Sequence, residues 1–241
     1  HMIGRFGMNG GRYQAVEFGG PAVRALSMQE RMTLSNMSAE LGAQAGLIAP
    51  DATTAEWLAA HGAAEVDVAP WFTDDGAALT EHRFDAATLE PQVALPHSPA
   101  NSHGVGRDVG TAIDVAYIGA CTGAKLDDLR AAAQVLRGHK VPSGVRLIVA
   151  PASLRDQEQA RGEGVLQALL DAGAELAPTS CGACAGYGNA LGDDVTVIST
   201  TARNFKGRMG SASSRVYLGS PYTVAASALR GRITDPREVL A

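Results

Sequence analysis

From about residue 111 onward, short runs of β-branched and aliphatic residues alternate with longer amphipathic segments rich in Ala and Leu. The short runs predict strands over 113–118, 145–149, 174–177, 195–198 and 216–218. The longer segments carry apolar residues at helical spacing and predict helices over 125–137, 156–172 and 222–230. Strand–helix alternation of this kind predicts an α/β fold, a mainly parallel sheet with helices on both faces. Ligands of such sheets bind beyond the carboxyl ends of the strands. Cys121 follows the first of these strands, Cys181-Gly-Ala-Cys184 the third, Ser199-Thr-Thr-Ala-Arg203 the fourth and Gly219-Ser220 the last. The pattern therefore predicts that residues far apart in sequence line one sheet edge.

The chain before residue 111 reads differently. Residues 13–18 predict a short strand, and Ser27-Met-Gln-Glu30 has the spacing of a capping box opening a helix through Met32, Met37 and Leu41. A second such spacing, Thr53-Thr-Ala-Glu56, predicts a short helix carrying Trp57 and Leu58. Pro91, Pro96 and Pro99, with Asn101, Ser102, Gly104 and Gly106, give residues 77–108 the chemistry of a linker. The expected organisation is thus a first part over 3–76, a linker over 77–108 and a second part over 109–241.

Composition narrows the partners. At 241 residues and 46% hydrophobic, the chain can bury the core of one large or two modest domains. A net charge of -5 offers no basic footprint for nucleic acid or anionic lipid. No uncharged stretch reaches the roughly 18 apolar residues of a membrane span, and no signal peptide opens the chain, so a soluble, cytoplasmic protein is expected. His1-Met2 reads as a tag remnant and is set aside. Three cysteines are an odd number, which rules out a full disulfide framework and suggests a reducing compartment with metal or redox chemistry.

A lone cysteine such as Cys121 is commonly a small buried hydrophobe. Cys181 and Cys184, in the Gly/Ala-rich run Thr-Ser-Cys-Gly-Ala-Cys-Ala-Gly, are a pair of the kind shared by zinc sites, redox turns and iron–sulfur clusters. Zinc would need a further ligand from His97, His103 or His139, none of which stands beside a second ligand at zinc-finger spacing. A thioredoxin-like dithiol has no use for a third cysteine on another strand. Three thiolates without a fourth suggest a [4Fe–4S] cluster with one iron left open, a design suited to catalysis rather than electron carriage.

The motifs Tyr117-Ile-Gly-Ala-Cys-Thr-Gly-Ala-Lys-Leu-Asp-Asp-Leu129, Ser180-Cys-Gly-Ala-Cys-Ala-Gly186, Ser199-Thr-Thr-Ala-Arg-Asn-Phe-Lys-Gly-Arg-Met-Gly210 and Leu218-Gly-Ser-Pro-Tyr-Thr-Val-Ala-Ala226 stand in this order. With Glu30-Arg-Met-Thr-Leu-Ser-Asn-Met-Ser-Ala-Glu-Leu-Gly-Ala43 they span nearly the whole chain. In these residues the sequence resembles the aconitase superfamily, in the branch of the isopropylmalate isomerase (3-isopropylmalate dehydratase) and homoaconitase large subunits. The resemblance implies three-layer α/β/α domains, with 3–76 part of the family's second domain and 109–241 its third. It implies that Cys121, Cys181 and Cys184 hold a [4Fe–4S] cluster and that Arg203 and Arg208 grip substrate carboxylates. It implies catalytic roles for Asn36 and Glu40, which as residues four apart in a helix would share a face; without it, Glu40 reads as a solvated helix charge.

The implied reaction is the reversible dehydration and rehydration of a hydroxy di- or tricarboxylic acid, as in leucine biosynthesis, shifting a hydroxyl between adjacent carbons through an alkene. The implied partners are the polycarboxylate substrate, a small subunit that brings the proton-abstracting serine, and the family's first domain with its histidines; no segment here matches that domain. Self-association is a further expectation, as cover for the face the first domain would occupy. Gly123 and Ala202 stand where the family often has Asn, and Ala183 where Pro or Met is frequent. Two other functions compete: a non-catalytic truncated paralogue or domain fragment acting as a binding or assembly module, and a small zinc or redox protein using Cys181 and Cys184.

Overall fold

A computed structural model describes residues 1–63, 66–68, 71–188 and 190–240. They form two compact units, Asn9–Leu89 and His1–Met8 with Glu90–Ala241. In chain order the elements are α1 (Met2–Phe6), β1 (Ala15–Glu17), α2 (Pro21–Arg24), α3 (Met28–Met37), β2 (Ala45–Leu47), α4 (Ala52–Ala60), β3 (Gln92–Ala94), β4 (Ser102–Gly104) and β5 (Val115–Gly119). They continue with α5 (Ala120–Gly123), α6 (Leu126–Leu136), β6 (Arg146–Ala150), α7 (Leu154–Gly162), α8 (Val165–Asp171), β7 (Glu175–Leu176), β8 (Thr196–Ser199), β9 (Arg215–Gly219) and α9 (Pro221–Arg230). None of the described helices is long and apolar enough to cross a membrane.

In the smaller unit β1 and β2 pair in parallel. The expected capping box opens α3: the Ser27 hydroxyl accepts from Glu30 N and the Glu30 carboxylate accepts from Ser27 N at 2.8 Å. The helix ends at Met37, short of the expected Leu41. The Ser38 hydroxyl donates to Ser35 O at 2.7 Å, taking the carbonyl that the next helical N–H would use, and Gly42 leaves at a φ of 80°. The start of α4 also differs from the expected Thr53-Glu56 box. The cap is Asp51, whose carboxylate accepts from Thr54 N and is gripped by both terminal nitrogens of Arg31 at 2.7 and 2.8 Å. Arg31 is 3% exposed and also donates to Arg24 O and Leu26 O. One buried guanidinium thus ties the end of α2 and the body of α3 to the cap of α4.

The larger unit is built on a seven-stranded sheet of order β4-β3-β9-β8-β5-β6-β7. The five strands from β9 to β7 are parallel, while β3 runs antiparallel to both β4 and β9. All five strands expected after residue 111 are present. Residues 90–108, from the stretch expected to be a linker, belong to this unit, with Val93 and Val105 fully buried.

Alternate strand residues face opposite ways. Ala116, Ile118, Leu147, Val149 and Ile198 pack against α6, α7, α8 and α9. Val115, Tyr117, Ile148, Ala150, Val197 and Val216 pack instead against Ala183, Cys184, Leu191 and Met209. The α/β class and mainly parallel sheet are as expected. α6, α7, α8 and α9 cover one face, while Ala120 of α5 and a 3-10 turn over Gly182–Ala185 join the β7–β8 and β8–β9 connections on the other. The expected helix over 156–172 is divided: Gly164 adopts a left-handed φ of 69°, separating α7 from α8.

Candidate functional site

Strand order reverses between β5 and β8, because the chain moves from β5 outward to β6 and β7 and then returns to the other side of β5. At such a switch point the loops leaving adjacent strands diverge and open a crevice at the carboxyl edge. Cys121 sits there, in the one-turn α5 directly after β5. Facing it is the segment after β8, anchored by Thr200. Thr200 N donates to Tyr117 O, and the Thr200 hydroxyl accepts from Gly119 N at 2.9 Å and donates to Gly119 O at 3.3 Å. A Cβ on Gly123 would lie 2.3 Å from the Thr200 Cβ and carbonyl oxygen, so the family's frequent Asn has no room in this packing.

Cys181 and Cys184 lie in the connection after β7, at the same carboxyl edge. Their turn is closed by Cys184 N donating to Cys181 O at 2.8 Å, with Gly182 and Gly186 at φ of 44° and 75°. Cys184 is buried; Cys121 and Cys181 are exposed. Burial pushes the Cys184 thiol up, Arg208 pulls it down, and charge on Cys181 or Cys121 raises it again. Cys121, Cys181 and Cys184 thus follow β5 and β7 at the same carboxyl edge of the sheet. Tyr117 floors the region, its hydroxyl pushed up to about 12 by burial and then by the charges of Cys184 and Cys181. Among the described residues no three His, Cys, Asp or Glu side chains gather around a single metal ion. His97 and His139 are exposed, and His103 faces Asp108 at 3.2 Å.

Arg203 and Arg208 follow β8, both half-buried. Arg208 donates from Nε to Cys184 O at 3.1 Å, linking the arginine loop to the cysteine turn. The loops also meet where Leu191 N donates to Met209 O and Ser211 N to Leu191 O. Asn204, which sequence reasoning passed over, is 1% exposed and donates to Leu95 O at 2.7 Å and Val216 O at 2.9 Å. It pins the arginine loop to the chain after β3 and to β9; an Asn beside an Arg in a loop gives no sign of such a role. Ser220 stands at the carboxyl end of β9, but its hydroxyl accepts from Thr223 N as the cap of α9.

Asn36 and Glu40 belong to the smaller unit. They do not share a helix face: Asn36 is exposed in the last turn of α3, and Glu40 follows the end of the helix. Glu40 is 3% exposed, which overturns the reading of a solvated helix charge.

The sequence profile described as "Aconitase family (aconitate hydratase)" matches residues 1–111 and 106–231. The 3-isopropylmalate dehydratase large subunit of Nitratidesulfovibrio vulgaris is 44% identical over 98% of this chain and 56% of its own length. The probable methanogen homoaconitase large subunit of Methanosarcina mazei is 45% identical over 99% of this chain and 60% of its own. The 3-isopropylmalate dehydratase large subunit 1 of Pyrococcus furiosus is 42% identical over 100% and 57%. The chain spans less than two thirds of the length of each of these curated relatives.

Proposed function

Since this chain belongs to the aconitase family, we propose that it is the cluster-bearing part of a hydro-lyase of the 3-isopropylmalate dehydratase or homoaconitase kind. Its substrate is then a hydroxy di- or tricarboxylic acid, dehydrated to an alkene and rehydrated at the adjacent carbon. The observation that supports the reading is the placement of Cys121 and the Cys181–Cys184 turn at one carboxyl edge of the sheet, beside the switch point, with Arg208 tied to Cys184 O.

The donor set fits a [4Fe–4S] cluster. Cys121, Cys181 and Cys184 form no disulfide and belong to two loops at one carboxyl edge of the sheet, with Cys184 buried and the other two exposed. Cys121, Cys181 and Cys184 would hold such a cluster, and three thiolates would leave one iron without a protein sulfur. When bound, such a cluster supplies a Lewis acid for the departing hydroxyl.

The remaining work belongs to side chains. Arg208 and Arg203 bind the substrate carboxylates, whose planar shape matches the guanidinium fork; Arg208 spends Nε on Cys184 O and carries four more donors. Holding both ends of a flexible diacid fixes the carbon skeleton for proton loss and hydroxyl loss. Glu40, buried within the smaller unit, and Asn36 keep in this reading the catalytic roles that the resemblance implies. The small subunit and the family's first domain are its partners, supplying the base that removes the C–H proton and the walls that exclude water.

Anaerobic reconstitution with iron and sulfide tests the cluster. The expected result is a broad visible absorption that bleaches in air and weakens in each of Cys121→Ser, Cys181→Ser and Cys184→Ser; zinc uptake without iron would overturn it. Activity is followed as alkene formation from isopropylmalate or homocitrate. A missing positioned acid or base forfeits about 10²–10⁴ in rate, so the reconstituted chain alone stays near background and gains turnover when small subunit and first domain are added. Reconstituted chain that stays silent with both partners present would favour the binding or assembly module.

A further inference from the structure

We propose that Lys125 is a positioning residue for Cys121, its buried ammonium holding the Thr122 carbonyl and so fixing the turn that presents the thiol. Lys125 is 7% exposed, and its Nζ donates to Thr122 O at 3.0 Å and to Asp128 Oδ2 at 2.7 Å. Thr122 is the residue after Cys121 and lies in α5, whose last carbonyls have no helical continuation to satisfy them.

Lys125 is an unusual residue for its position. It occupies the N-cap of α6, where Ser, Thr, Asp or Asn is favoured, and sets a cation against the positive end of a helix. It is also a charge taken out of water. The capping itself is done by Asp128, which accepts from Lys125 N at 3.0 Å and would do so for any residue there. The ammonium, held by Asp128 at 2.7 Å, reaches back to Thr122 O. Asp128 offsets the misplaced charge locally, and a residue that breaks the capping preference is expected where function constrains it.

The turn needs holding. Ala120, immediately before Cys121, has a φ of 66°, a left-handed conformation that a residue with a Cβ adopts reluctantly. The turn is gripped on three sides: Ala124 N donates to Ala120 O at 3.1 Å, Thr200 brackets Gly119, and Lys125 takes the Thr122 carbonyl. Release of the last loosens the end of α5 and lets the strained backbone relax, moving the Cα–Cβ bond of Cys121.

The consequence for metal retention rests on the reading of Cys121 as a cluster ligand; the fixing of the turn does not. The test therefore uses the full chain, both as apoprotein and after anaerobic reconstitution, with Lys125→Met, which keeps the length and loses the charge. Loss of a charge-assisted hydrogen bond is expected to raise amide exchange in the peptide covering residues 119–125 about tenfold, with exchange in β6 unchanged. Alkylation of apoprotein Cys121 is expected to accelerate relative to Cys181, and the reconstituted variant to lose its visible absorption faster than the parent. Ser220→Ala, which weakens the α9 cap without removing any contact of Lys125 or Thr122, serves as the destabilised control and should leave all three readouts unchanged. If Lys125→Met does not fold, Asp128→Asn is measured instead, and the same local signature is expected from the loosened ammonium. Parent-like exchange and parent-like Cys121 alkylation, or an equal loosening of β6, would overturn the proposal. A parent chain that takes up no iron and sulfide overturns the cluster reading alone, since exchange and alkylation still judge Lys125.

Discussion

Thr200 and Gly123 illustrate how single residues set the site. The Thr200 hydroxyl closes on both polar backbone groups of Gly119, and its backbone lies where a Gly123 side chain would begin. Gly123→Ala must push backbone rather than a flexible side-chain tip, so it is expected to destabilise the larger unit by about 1–3 kcal/mol, read as a lowered midpoint in denaturant unfolding. A midpoint equal to the parent's would mean that the two segments sit further apart. In the smaller unit, hydrogen bonds from Arg31 hold the Asp51 carboxyl below its ordinary value of 3.8. A carboxyl depressed in the folded state stabilises fully above its unfolded value and progressively less as pH falls through the folded one. Stability of this unit should therefore be flat in this respect above about pH 4 and fall below it, and Asp51→Asn should remove that acid-side fall along with the ion pair. Unfolding followed by Trp57 fluorescence as a function of pH checks both points. The roles of Asp51, Arg31 and Thr200 were invisible in sequence because each depends on a partner brought by another segment.

At the scale of elements, the strands after residue 111 were legible because buried parallel strands are short β-branched runs without competing periodicity. Helix ends were less so. The Ser27 box is local and was read directly, whereas the cap at Asp51 depends on Arg31 from α3, and the end of α3 on the Ser38 hydroxyl. Gly164 is the sharpest case, since a continuous amphipathic pattern over 156–172 hides a left-handed residue between α7 and α8. On helix propensity alone Gly164→Ala should stabilise; at a φ of 69° it is instead expected to cost about 1 kcal/mol, and Gly164→Asn less. Thermal unfolding of the two variants distinguishes a broken helix from a continuous one, because only the continuous helix gains from Ala.

For the molecule as a whole, the described positions over 71–89 are exposed at nearly every residue, and Arg83 projects with 85% of its side chain in solvent. Brief trypsin treatment is expected to cut first after Arg83, giving products that mass spectrometry assigns to 1–83 and 84–241. First cleavage within the sheet of the larger unit would contradict the division into two compact units. The sequence by itself determined the α/β class, the five parallel strands and the order of chemistry-bearing loops, because hydrophobic periodicity and short turn signals are local properties of the chain. It also carried the family, through motifs whose residue order survives without knowledge of their packing. Tertiary structure alone decided that strand order reverses beside Cys121, that β3 and β4 join the sheet, and that the cysteine and arginine loops cover the face opposite α6–α9. It alone turned Glu40 from an ordinary helix carboxylate into a buried one and Lys125 into a clasp on Thr122. Burial and pairing are relations between distant segments, and a one-dimensional pattern holds no record of which segments will meet.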